Sequence, residues 1–281
     1  MAVDVMRFLS KVLNHNPLVR AFKNIRNETV DSLYRKAGLP VDLSVVAGLG
    51  ARDSICVAIA YNTPWCIDLL ASLWPRFVVG TTLLVADNSS RADARQEIER
   101  ICADRGVAYI SLPWNPEWSP NRSHGLAMNW IVCNVIDKLS CDLWGFIDHD
   151  CFPQKSFSFE AVVPSNGVFG LRKASSLNGA YWNLWAGFCF FRQSLTRGKR
   201  LDFKHRVELG LDTGGGNWCR LYESLSEEQT RFANQSGRIV TLGDSSVSLQ
   251  FIEDSFVHLG GASYRQNRFE NGAEFARFLS F

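Results

Sequence analysis

No two of the eight cysteines, at 56, 66, 102, 133, 141, 151, 189 and 219, stand in a C-x-x-C pair. Most lie in apolar segments where cysteine behaves as a small hydrophobe, which favours reduced thiols over a disulfide framework. No apolar run approaches the roughly 18 residues a membrane span needs, and the N-terminus lacks a charged region followed by an apolar one. A cytoplasmic protein is therefore expected. Excess charge is missing too: 30 Lys and Arg against 28 Asp and Glu leave +2, no support for a nucleic-acid footprint. Partners should be small or local. There is no internal repeat, no P-loop and no G-x-G-x-x-G after a first strand; Gly214 to Gly216 match neither spacing.

What is present is 281 residues, 46% of them hydrophobic, enough for one large domain or two small ones. One charge asymmetry lies at the start, where residues 1–40 carry Arg7, Lys11, Arg20, Lys23, Arg26, Arg35 and Lys36 against Asp4, Glu28 and Asp31. Val5, Phe8, Leu9, Val12 and Leu13 follow helical spacing, as do Leu18, Val19, Phe22 and Ile25 after Pro17. Such a basic amphipathic stretch over residues 1–36 suits two readings: peripheral contact with the inner face of a membrane, or packing on the domain with its charges solvated.

From residue 53 strands and helices alternate. "SICVAIAY" (54–61) suits a strand buried on both faces, and Thr63 and Pro64 then open a helix. "TTLLVADNSS" (81–90), a charged helix over 91–105, "VAYISLP" (107–113), a loop over 114–125, a helix over 126–139 and "DLWGFID" follow. Repeated alternation predicts a mainly parallel sheet with right-handed crossovers. Ligands bind at the carboxyl ends of such strands, where Asn62, Asp87, Asp148 and Asp150 fall. After Pro153 the pattern weakens. Residues 167–174, 178–193, 238–243 and 255–261 read as strands, and 211–225 as a Gly-rich turn opening a helix.

"LWGFIDHDCFP" (143–153) carries the chemistry. Residues two apart in an extended strand share a face, about 6.6 Å along the chain. Two like charges at ~6 Å repel by roughly 3 kcal/mol at an effective dielectric of ~20, a cost a cation between them would offset. Hard cations such as Mg²⁺ or Mn²⁺ take carboxylate oxygens and leave positions for phosphates. On strict alternation His149 faces away as a spacer.

In order and spacing, "VAIAYN", "LLVADNSS", "SHGLAMNWIV" and "GFIDHD" resemble the strands and helices of GT-A-fold glycosyltransferases, particularly the family 2 type, over roughly residues 53–265. The resemblance implies an α/β fold with a mixed, mainly parallel, Rossmann-like central sheet flanked by helices, behind an N-terminal helical extension (1–50). Residues 51–281 would form one domain, 51–153 its nucleotide-binding half and 154–281 its acceptor-binding half.

It further implies a metal-dependent hexosyltransferase making a single transfer, inverting, from a UDP- or GDP-sugar to a glycan, lipid-linked or other acceptor. Tyr61, Asn62, Asp87, Asn129, Asp148 and Arg265 would meet the donor, and Asp148, Asp150 and His258 would hold Mn²⁺ or Mg²⁺. His258 without the resemblance reads as a hydrogen-bonded core histidine. Relatives supply the general base from an acidic residue late in the domain. "LDTGGGNW" offers Asp212, which could equally cap a helix, with Glu253 and Asp254 in reserve. Trp114, Trp118, Trp182, Trp185 and Trp218 suit sugar stacking, although only one or two should touch acceptor. The Gln/Arg-x-x-Arg-Trp signature of processive synthases is absent. Two alternatives share the architecture: a sugar-nucleotide pyrophosphorylase, whose Gly-rich basic loop "AYNTPWC" lacks, and a non-catalytic nucleotide- or carbohydrate-binding protein.

Overall fold

The computed structural model describes residues 17–38, 49, 54–242, 245–264 and 273–279. The N-terminal stripe from Val5 to Leu13 and Arg265 lie outside them. The first element is helix α1 (Pro17–Tyr34). Strand β1 (Ser54–Ala60), helix α2 (Pro64–Phe77), β2 (Thr82–Asp87), α3 (Ala92–Arg105), β3 (Ala108–Ser111), α4 (Pro120–Asn134) and β4 (Leu143–Asp148) then alternate as the sequence pattern predicts. β5 (Cys151–Pro153), β6 (Val168–Ala174), β7 (Trp182–Arg192), β8 (Thr230–Phe232), β9 (Gln235–Leu242), β10 (Ser245–Ile252) and β11 (Phe256–His258) complete the strands.

A seven-stranded sheet has the order β3-β2-β1-β4-β7-β6-β8. Its β1, β2, β3 and β4 pairings are parallel, while β7 runs antiparallel to both β4 and β6. The fold is thus mixed α/β around a mainly parallel sheet flanked by helices. β1 is buried at every position: Cys56, Ala58 and Ala60 face one core, Ile55, Val57 and Ile59 the other. That two-sided burial is why the segment is continuously apolar.

On the first face lie α2, α3 and a phenylalanine cluster, with Phe159 stacked on Phe190 at 3.8 Å. Burying each such ring stabilises the fold by roughly 2–3 kcal/mol. α4 covers the second face together with Phe203, Trp218 and Tyr222. A smaller antiparallel sheet, β5-β11-β10-β9, packs at the end of β4.

Three local expectations are corrected. α4 starts at Pro120, not near residue 126, because Pro120 fits the first helical turn after an extended Ser119 and the polar run to His124 is helical despite its loop-like composition. The 211–225 segment forms only short 3₁₀ turns, Gly215–Asn217 and Tyr222–Ser224, in place of a helix. β10, rich in serine, pairs antiparallel with β9 where the sequence pattern predicts no strand.

Candidate functional site

β1 and β4 are neighbours, while β2 departs from β1 on one side and β7 joins β4 on the other. The strand order therefore reverses at the β1/β4 boundary, which opens a crevice at their carboxyl ends. Ile59 pairs with Asp148 in that register, and both line the crevice with Tyr61 just beyond the end of β1. A cleft of about 370 Å³ opens there, walled by Tyr61, Asn88, Trp118, His124, Asp148, His149, Asp150, Trp185 and Asp212 among others.

β4 ends at Asp148, and residues 149–150 turn the chain into β5. β5 pairs antiparallel with β11, placing His258 opposite Cys151 and so beside Asp150. His258 Nε2 lies 3.3 Å from Asp150 Oδ1 and 3.7 Å from Asp148 Oδ2. One ligating atom from each of Asp148, Asp150 and His258 lies within 4.8 Å of the other two.

The neighbours hold this arrangement. His258 Nδ1 pairs with Gln250 Oε1 at 3.0 Å, and the ring packs on Trp185 at 4.7 Å. Gly260 and Gly261 take positive φ of 71° and 69°, turning the chain so that the Ala262 amide donates to Asp150 Oδ2 at 3.0 Å. A Cβ on Gly187 would lie 2.5 Å from the Asp148 carboxyl, so that position leaves the carboxylate its room.

Burial, then the charge of Asp150, pushes Asp148 up to about 6. Burial would also raise Asp150, but hydrogen bonding to His258 and its charge outweigh this and hold the group well below the usual carboxylate range. For His258, burial is outweighed by Asp150 and Asp148, and its pKa is raised. The pocket therefore concentrates negative charge against one imidazole. Two carboxylates and an imidazole nitrogen converging on one point form a donor set that fits a divalent cation.

His149 corrects an expectation. Because the strand stops at Asp148, side-chain alternation does not continue, and His149 lines the cleft, buried, with no partner for its Nε2. Asn62, Asp87 and Asn129 are not brought to the cleft surface. Asn62, in a left-handed conformation with φ of 54°, uses its Oδ1 to accept from the Ser90 and Arg91 amides, holding the turn after β2. Asp87 is fully buried, its oxygens accepting from the Ser89 amide and the Tyr109 hydroxyl. The adjacent Asn88 reaches the cleft instead.

Asn129 is fully buried beneath α1. It donates to Asp31 Oδ1 at 2.7 Å and accepts from the Phe203 amide at 2.8 Å.

Asp212 stands exposed at the rim, and its Oδ1 accepts from the Thr213 amide at 2.8 Å and Asn121 Nδ2 at 3.2 Å. Glu253 and Asp254 form the turn between β10 and β11, both at positive φ, and do not line the cleft. Of the five tryptophans, Trp118 and Trp185 line it, while Trp182 and Trp218 pack against each other.

His124 was missed because its segment reads as a loop. Burial drives its pKa down to about 4 from 6.5, partly opposed by the charges of Asp150 and Asp212. A folded-state pKa below the unfolded one means stability is full above about 6.5 and is lost as pH falls toward 4, by roughly 3 kcal/mol. His124→Gln should lose correspondingly less between those limits, measured by urea unfolding at neutral and acid pH.

No protein-family model matches the chain, and no curated protein does. Its structure is similar to several solved glycosyltransferases. One is the mannosyltransferase PcManGT from Pyrobaculum calidifontis in complex with GDP-Man and Mn²⁺, 11% identical, TM-score 0.37, with 62% of this chain and 55% of that one covered. Another is the galactosyltransferase LgtC with donor and acceptor sugar analogues, 11% identical, TM-score 0.42, covering 64% and 73%. A third is glucosyl-3-phosphoglycerate synthase from Mycobacterium tuberculosis with Mn²⁺, UDP and glucosyl-3-phosphoglycerate, 17% identical, TM-score 0.36, covering 54% and 60%. The chain spans little more than half the length of the first of these. Likeness at this level assigns neither substrate nor residue roles.

Proposed function

We propose that the chain is a metal-dependent glycosyltransferase that moves one sugar from a UDP- or GDP-sugar to a carbohydrate or lipid-linked acceptor. The observation that carries this reading is the convergence of Asp148, Asp150 and His258 at the sheet's reversal point, beneath an open cleft. Three protein ligands leave positions for phosphate oxygens, and the imidazole favours Mn²⁺ over Mg²⁺. When bound, the cation supplies charge neutralisation for the departing diphosphate.

The chain's own residues supply the rest. Tyr61, 37% exposed at the end of β1, and Asn88 form the donor wall. Asp87 and Asn62 act one step back, fixing the turn that presents Asn88. Trp118 and Trp185 offer faces for sugar rings. Asp212 is the proton acceptor for the attacking hydroxyl in an inverting transfer. Both of its bonds to the Thr213 amide and Asn121 fall on Oδ1, which orients the carboxylate and leaves Oδ2 for the acceptor.

The test is release of UDP or GDP from a panel of nucleotide sugars, with and without EDTA. EDTA-sensitive release is expected from at least one donor. Asp212→Asn should slow transfer about 10²- to 10⁴-fold while leaving Mn²⁺ binding intact. A wild-type chain that turns over no donor, or one indifferent to EDTA, contradicts the reading.

A further inference from the structure

α4 meets the cleft with its first turns, and bonds to two other segments hold them there. Asn121 donates from Nδ2 to Asp212 Oδ1 at 3.2 Å. Ser123 Oγ accepts from Asn88 Nδ2 at 3.0 Å, and the Ser123 carbonyl accepts from Asn115 Nδ2 at 2.9 Å. The start of the helix is therefore tied to Asp212 through one residue and to Asn88 through another. A Cβ on Gly125 would come within 2.8 Å of the Phe203 carbonyl oxygen, so glycine at that position lets the helix seat closely.

His124 follows these ties directly. It lines the cleft together with Asp148, Asp150 and Asp212, and the charges of Asp150 and Asp212 both act on its ring. The residue is partly exposed, and no hydrogen bond among the described residues reaches its ring. With its pKa driven down to about 4 by burial, the imidazole is uncharged at neutral pH. His149 lines the cleft as well, but its unpartnered Nε2 is enclosed.

An inverting transfer dictates where the sugar lies. The diphosphate leaves on the side of Asp148, Asp150 and His258, and the hydroxyl attacks on the side of Asp212, so the anomeric carbon sits between them. His124 shares the cleft with both groups and feels the charge of each. A neutral imidazole carries one N–H and one lone pair, which match a hydroxyl that both donates and accepts. Other polar groups would disturb the chemistry at this point: a cation would lower the proton affinity of Asp212, and a carboxylate would compete for the metal.

Building on the glycosyltransferase reading above, the geometry points to His124 as the residue that binds a hydroxyl of the transferred sugar and thereby selects among donor sugars. Its ligand is the glycosyl part of the nucleotide sugar, and the nucleoside diphosphate is held without it.

Calorimetric titration of the Mn²⁺-loaded chain tests this, comparing the nucleotide sugar turned over in the release assay with its bare nucleoside diphosphate. His124→Ala, and His124→Leu as a bulkier variant should the first not fold, are expected to weaken the nucleotide sugar about three- to tenfold and to leave the diphosphate unchanged. His124→Gln, whose carboxamide also donates and accepts, should recover part of the loss. Across a series of monodeoxy donors, one should bind wild type and His124→Ala equally, with circular dichroism and Mn²⁺ binding unaltered. Equal losses for nucleotide sugar and diphosphate, or no loss of either, in a chain whose wild type turns over donor overturns the assignment of His124 alone. A wild type that turns over no donor overturns the glycosyltransferase reading together with it.

Discussion

Asp150→Asn is expected to reduce sugar transfer by roughly 10³-fold or more, with little change in fold. Asparagine keeps the shape, and its carbonyl oxygen can still accept from the Ala262 amide. What it removes is the carboxylate that sits 3.3 Å from His258 and carries the lowest proton affinity of the trio. A bound cation contributes several kcal/mol of charge stabilisation, and each 1.36 kcal/mol is tenfold in rate. The same substitution should release Asp148 from its neighbour's charge, which together with burial holds it near 6. Retention of rate to within about tenfold, with metal dependence intact, would show that the cation is held elsewhere.

Asn129→Ala is expected to destabilise the fold by about 3 kcal/mol or more and to leave the apparent affinity for donor unchanged. The carboxamide joins three parts of the chain: Asp31 on α1, the Phe203 amide, and Asp202 at 3.3 Å. Truncation leaves a buried carboxylate and a buried amide short of partners, and hydrogen bonds to charged groups are worth about 1.5–3 kcal/mol each. Burial acts to raise the Asp31 pKa, and Arg35, Lys204 and Asn129 together hold it low, so losing one partner also makes the charge harder to keep. Chemical denaturation and donor titration together separate this packing role from donor contact. A raised donor KM with unchanged stability would restore Asn129 to the binding site.

The alternation of apolar strands and amphipathic helices made the parallel half legible, because β1, β2 and β4 are buried on both faces at every position but Thr82 and Asp148. Asp148 and Asp150 were legible for the same reason, as polar residues ending an apolar strand. Two kinds of information were hidden. One is the point at which a strand stops: His149 turns into the cleft only because β4 ends at Asp148, and alternation says nothing of that. The other is whether a polar side chain spends its hydrogen bonds inside. Asn62, Asp87 and Asn129 carry the right groups in the right order, but backbone amides and buried partners from distant segments consume them. His258 could be placed in sequence only through the family resemblance, since its position depends on β5 pairing with β11 across more than a hundred residues.

Mn²⁺ titration followed by electron paramagnetic resonance measures the trio without any substrate. Protons on Asp148 and His258 compete with the cation; Asp148 is raised to about 6 and His258 above its ordinary 6.5, so affinity should climb as pH rises through about 6 and keep climbing above 6.5, and fall away in acid. One tightly held Mn²⁺ per wild-type chain at neutral pH, weakened in acid and lost in Asp150→Asn, is the expected result. Equal Mn²⁺ binding by wild type and Asp150→Asn, or none by either, would contradict a cation site at Asp148, Asp150 and His258.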